Sequence, residues 1–148
     1  MAGSGKAHLR SAEEVLIQVQ DLVVEFSAAG KNTVKAVSGI SLDVMPGETL
    51  GLVGESGCGK TTLLNLLARL DSANVGELYW NGEFHDPKLP PGPRDAARRA
   101  SLVGVVYQAY YLIPEMNVME NVLLAARLAG SIGKDAKQRA RELLDRVG

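Results

Sequence analysis

Between Thr49 and Leu67 the chain reads TLGLVGESGCGKTTLLNLL. Two apolar stretches flank a segment that holds Gly54, Gly57 and Gly59 and continues into Lys60, Thr61 and Thr62. Gly54, Glu55, Ser56, Gly57, Cys58, Gly59, Lys60 and Thr61 fit G-x-x-x-x-G-K-[ST] in full. Glycines in this arrangement let main-chain N–H groups turn inward and approach an anion without side-chain clashes. A helix opening near Lys60 adds unpaired N–H groups and the positive end of its dipole. The dipole alone contributes only about 0.3–1 kcal/mol for one charge at an exposed site. Most of the binding must therefore come from several amides together with the Lys60 ammonium. The pattern predicts that Lys60 reaches the β- and γ-phosphates of a nucleotide, that Thr61 supplies a hydroxyl ligand for Mg²⁺, and that Thr62 hydrogen-bonds the α-phosphate. Cys58 reads as a small side chain that fits the loop rather than as a nucleophile, and its alkylation is expected to block nucleotide binding by sterics.

Such a loop does chemistry only if a strand and a helix hold it. Thr49–Val53 is short, apolar and β-prone, which predicts a buried strand. Thr61–Leu70 carries Leu63, Leu64, Leu66, Leu67 and Leu70 at helical spacing. Upstream, Val15, Ile17 and Val19 alternate with Leu16, Gln18 and Gln20, and Leu22, Val24 and Phe26 then alternate with Val23 and Glu25, which is strand periodicity. Ala28–Asn32 reads as a turn, Val34–Val37 and Ile40–Met45 as a second extended region, and Pro46–Glu48 as its stop. Glu77–Trp80 before Asn81-Gly82 predicts a strand entering a tight turn. The loop from His85 to Pro93 holds four of the six prolines, and a short polar helix follows at Arg94–Ala100. Leu102–Tyr107 is expected to be another apolar strand. Val118–Ala129 is predicted to be helical, with Asn117 as cap and Glu120 completing a capping box. Ala136, Ala140, Leu143, Leu144 and Val147 share one face of a last helix.

A chain of 148 residues with 46% hydrophobic and 22% charged residues has the means for one core, not for general disorder. A net charge of −1 argues against a broad basic surface for nucleic acid. The lone cysteine excludes an intramolecular disulfide and points to a reducing compartment. No apolar run approaches the roughly 20 residues that span a bilayer, and residues 1–14 read as a flexible polar tail without the apolar centre of a secretory signal. GSGK at Gly3–Lys6 has neither a strand before it nor an apolar helix after it and is a coincidence. His85, with no second ligand at metal spacing, is expected at the surface. Trp80 reads as a packing residue, and Arg94, Arg98 and Arg99 as a solvated helix face.

From Val15 onward the chain resembles the ATP-binding subunits of ABC transporters. GLVGESGCGKTTLLNLL is similar to their Walker A segment, GELYWNG to a family hairpin, and VGVVYQAYYLIPEMNVMENV to their Q-loop region. Tyr107–Val122 looks most like the lipoprotein-release and macrolide-export branch, whereas ETLGLVGESGCGK looks more like peptide importers. The resemblance implies an α/β fold of the P-loop NTPase class: an ABC-type nucleotide-binding domain over residues 15–148, with an N-terminal antiparallel β region and an incomplete core. It implies that Phe26 stacks on adenine in place of the usual tyrosine, and that Gln108 touches Mg²⁺ and the attacking water. Residues Ala109 to Glu120 would face a transmembrane subunit, with Tyr110 and Tyr111 serving either that interface or local packing. The implied cofactors are ATP and Mg²⁺. The implied partners are transmembrane subunits and a second nucleotide-binding subunit, not nucleic acid. The implied location is the cytoplasmic face of a membrane.

Phosphoryl transfer to water also needs a carboxylate to hold the metal and a group to orient the water. In this family an Asp and a Glu follow four apolar residues, and a signature segment and a switch histidine come later; none of these occurs here. The chain therefore looks like the N-terminal part of an ATPase domain, with uncovered apolar faces and poor stability in isolation. Two readings stand: an ATP-driven transporter subunit, and a nucleotide-binding remnant that turns over nothing. A P-loop kinase or GTPase fits less well, since no guanine-reading N-K-x-D occurs.

Overall fold

The computed structural model describes residues 15–27, 33–131 and 133–148. The tail expected at 1–14, with its GSGK, and the turn expected at 28–32 lie outside the described residues. The chain divides into two compact units, Met1–Asp95 and Ala96–Gly148.

In the first unit, β1 (Ile17–Ser27), β2 (Thr33–Val44), β3 (Val75–Trp80) and β4 (Glu83–His85) form an antiparallel sheet of order β2-β1-β3-β4. The two extended regions expected at 34–37 and 40–45 are one continuous β2. Alternation decides which residues meet: Val19 lies opposite Leu42 on one side and Leu78 on the other, and Leu78 lies opposite His85. The apolar phase of β1 switches between Val19 and Leu22, where the pairing with β2 and β3 shifts register. That bulge returns Leu22 and Val24 to the core, where both are buried with Val19. Asp21 takes a positive φ of 46° at the bulge, and its amide donates to Ser41 Oγ at 2.8 Å. Opposite, Gly76 has φ +118°, and a Cβ there would lie 2.7 Å from Leu22 Cα, so only glycine lets β3 approach the bulge. Helix α1 (Lys60–Leu67) lies against β2 and adds Leu63 and Leu66 to the core.

Helix α2 (Pro93–Leu102) starts on proline, whose missing N–H costs nothing at a first helical position. In the second unit, α3 (Val118–Leu128) and α4 (Lys134–Val147) pack on each other and bury Leu123 and Ala140. The capping box forms as expected: Glu120 N donates to Asn117 Oδ1 at 2.9 Å, and Asn117 N to Glu120 Oε2 at 2.9 Å. Of the apolar face expected on α4, Ala140 is buried while Leu143 and Val147 stay exposed.

Two expected strands do not form. Thr49–Val53 belongs to no strand, and its Val53 is 99% exposed. Leu102 ends α2, residues 103–107 pair with nothing among the described residues, and Val106 is 99% exposed. A buried strand needs a hydrogen-bonding neighbour, and a parallel one reaches it only through a long crossover. Neither stretch has such a neighbour here, so the apolar faces are left uncovered, as the resemblance implied.

Candidate phosphate-binding site

The loop from Gly54 to Gly59 is shaped by two left-handed glycines, Gly57 at φ +80° and Gly59 at φ +89°. Gly59 is fixed by space as well as by angle: a Cβ there would run into the backbone carbonyl of Ala36 on β2. The loop therefore rests on the sheet through a contact that only glycine permits. Gly54 is less constrained, since a Cβ there would lie 2.6 Å from Cys58 Sγ, the end of a side chain that can turn away. Cys58 itself is exposed and donates its amide to Glu55 O at 3.3 Å, closing a turn.

Helix α1 begins at Lys60 with Gly59 as its cap, so no side chain covers its first amides. Thr61 is exposed and Thr62 half-buried in that first turn. The Lys60 ammonium curls back over the loop. It donates to the carbonyls of Gly54 at 2.8 Å and Glu55 at 2.7 Å, and lies 3.4 Å from Cys58 Sγ. Uncapped amides, two forced glycines and a cation above them form a donor set suited to a phosphate. Magnesium suits it less directly, because no group of three or more His, Cys, Asp or Glu side chains converges among the described residues. A bound Mg²⁺ would rely on phosphate oxygens, water and the Thr61 hydroxyl, which matches its preference for few protein ligands.

The far end of α1 is anchored by Trp80 and by two residues that the sequence did not single out, Arg69 and Asp95. Trp80 Nε1 donates to Leu67 O at 3.0 Å, which confirms Trp80 as a packing residue and adds a hydrogen bond to it. Arg69, at φ +52° and 3% exposed, donates to Asp95 Oδ1 at 2.9 Å and to Leu89 O at 3.2 Å. The Arg69 hydrogen bond holds the Asp95 carboxyl below the usual carboxylate range, with help from the Gly92 amide and against the effect of burial. His85 belongs to this cluster, and its surface assignment is corrected. Its side chain is 8% exposed, its Nδ1 lies 3.8 Å from Asp95 Oδ1, and its ring stands 4.6 Å from that of Trp80. Register explains the burial, since the Asn81-Gly82 turn sets Leu78 opposite His85 on the core face.

Phe26 stands near the end of β1 beside Val34 of β2, and both remain about half exposed, at 47% and 54%. It is thus not an inward core residue. Gln108 is exposed in the irregular segment of the second unit. Tyr111 stacks edge-on against Tyr107 at 5.0 Å, while Tyr110 is 91% exposed. One further residue went unnoticed in the sequence: Asn121 bonds the backbone on both sides of the loop before α3.

Comparison with known proteins agrees with this geometry. The family model described as ABC transporter matches residues 37–148. A lipoprotein-releasing system ATP-binding protein, LolD of Acinetobacter baylyi, is 37% identical over 136 residues, covering 91% of this chain and 58% of the relative. The pyoverdine export ATP-binding/permease protein PvdT of Pseudomonas aeruginosa is 36% identical over 133 residues, which are 90% of this chain and 20% of that protein. Among solved structures, the dimeric ATP-binding cassette MJ0796 bound to ADP and Pi superposes with a TM-score of 0.78 at 26% identity, over 87% of this chain and 56% of that one. The chain thus spans a little over half the length of the LolD proteins and the cassette that it matches. With the glycine loop, the helix behind it and a family match from β2 onward, the chain belongs to the ABC transporter family of ATP-binding domains.

Proposed function

We propose that the protein binds MgATP in the loop from Gly54 to Thr62 and serves as the ATP-binding subunit of an ABC transporter, driving transport through partner membrane subunits. The observation that carries this reading is the Lys60 ammonium poised over a loop that the left-handed Gly57 and Gly59 shape. In the free loop the ammonium rests on two neutral carbonyls. Phosphate oxygens offer it charge-assisted hydrogen bonds, which are roughly twice as strong. Lys60 moves from one to the other, and the amides of Gly57 to Thr62 close around the phosphates. Thr61 offers its hydroxyl to the metal and Thr62 to the α-phosphate. Phe26 gives the purine an apolar face. Mg²⁺, when bound, neutralises charge on the β- and γ-phosphates. Gln108 is assigned to orienting the attacking water and to the metal, as the resemblance implies.

The relatives' names support the partner assignments. PvdT is named as ATP-binding and permease in one protein, and the MJ0796 cassette is dimeric. By analogy, Ala109–Glu120 faces a permease, a second ATP-binding subunit completes each site, and the protein is held at the cytoplasmic face of the membrane through its partners. Among the described residues, no helix is long and apolar enough to cross a membrane itself. A second reading is a chain that binds nucleotide through the same loop without turnover. Calorimetric titration with MgATP and an assay of phosphate release separate the two. Binding with release supports the motor, and binding without release both in this chain and in a version extended past Gly148 supports the remnant. A folded sample that ignores MgATP contradicts both. Photo-cross-linking from position 110 to a permease tests the docking face separately.

A further inference from the structure

Asn121 sits one turn inside α3, yet its carboxamide serves the loop before the helix. Its Oδ1 accepts the Ile113 amide at 2.8 Å. Its Nδ2 donates to the carbonyls of Met116 at 2.9 Å, Asn117 at 3.1 Å and Ile113 at 3.2 Å. One side chain thus uses its acceptor and both donors on the backbone of a five-residue loop. The capping box formed by Asn117 and Glu120 is a separate device that closes the first helical turn. What the carboxamide holds is apolar and faces water. Leu112 is 65% exposed and Val118 67%, and with Ile113, Pro114 and Met116 they wall an apolar cleft of about 400 Å³. The loop has one backbone turn of its own, Met116 N to Ile113 O at 3.1 Å, and a single asparagine supplies the bonds that tie this turn to α3.

We propose that Asn121 is a positioning residue that locks residues 113–117 to α3 as one rigid block, so that the cleft exists before any partner arrives. A preformed cleft spares a partner the cost of ordering the loop, and a push on the loop is passed directly to α3. That the occupant is a permease segment rests on the function proposed above and on the fusion of both parts in PvdT; the lock itself stands on the hydrogen bonds alone.

Amide hydrogen exchange on the full chain tests it. Asn121→Asp preserves size and the acceptor that serves the Ile113 amide, but it replaces both donors with a carboxylate facing three carbonyls. The readout is therefore the Met116 amide, which closes the loop's turn onto Ile113 O at 3.1 Å. Its protection is expected to fall roughly ten- to a hundredfold, while the α3 amides around Ala125 and the MgATP affinity stay within about twofold. In acid the new carboxyl gains an O–H donor, so part of the Met116 protection returns, which a mere packing defect would not produce. Asn121→Gln, which keeps the groups but displaces them, is expected to lose protection without that recovery. Glu120→Ala is expected to leave Met116 protected. Unchanged Met116 exchange in Asn121→Asp overturns the proposal, as does a loss of protection spread equally over α3. Cross-linking at position 110 judges the permease reading apart from this result.

Discussion

The β1–β4 sheet and the apolar stretches at 49–53 and 103–107 are made of the same residue types and reach opposite ends. Leu22 in β1 is 1% exposed, whereas Val53 and Val106 are each 99% exposed. The sheet closes through hairpins and antiparallel neighbours that lie close in the chain or follow one short helix. The other two stretches have the composition of central strands but no partner among the described residues. Apolar content therefore marks a segment that needs burial, and only a pairing neighbour delivers it. The phosphate loop stands between these regions: it is entered from an unpaired stretch but rests on β2 through Gly59.

The largest expected effect lies in the closed region. Leu22→Ala is expected to cost about 2–5 kcal/mol of stability by chemical denaturation, as for a fully buried leucine. An effect below 1 kcal/mol would mean that the sheet is no better packed than the bare stretches. Gly59→Ala comes next. It forces a Cβ against the Ala36 carbonyl at φ +89°, so a loss of about 1–3 kcal/mol is expected, together with loss of MgATP binding by calorimetry. Retained binding would show that the loop does not depend on its seat on β2.

A smaller effect comes from acid. Asp95 has its folded-state pKa lowered, chiefly by Arg69. Its contribution is therefore present above the usual carboxylate range and is lost as pH falls through the depressed value. Asp95→Asn is expected to be less stable than the parent near neutrality, and the gap is expected to close at the acid end of a denaturation series. A gap that widens in acid would reverse the sign of that linkage. The smallest effect is expected at the bare stretches, where Val53→Thr and Val106→Thr are each expected to change the chain's stability by no more than about 0.5 kcal/mol. A cost like that of Leu22 would erase the contrast between the two regions.

What was legible in the sequence was local. The glycine spacing and Lys60 marked the loop, the S/T/N-x-x-E spacing marked the cap at Asn117, and the change of apolar phase after Val19 foreshadowed the bulge in β1. His85 was misplaced, although counting back through the two-residue Asn81-Gly82 turn would have set it opposite Leu78 on the core face. Arg69, Asp95 and Asn121 gave no signal, because a part-buried ion pair 26 residues apart and a side chain reaching back over a loop have no period. The two unformed strands were read correctly as apolar and wrongly as paired, since pairing depends on a neighbour that the pattern does not name.

The central claim, that backbone amides and one ammonium hold a nucleotide triphosphate, is tested most directly by titrating MgATP into the parent and into Lys60→Ala. The account predicts measurable binding by the parent and a loss of roughly ten- to a hundredfold or more on removal of the ammonium. Equal affinities, or a folded parent that does not bind, would contradict it.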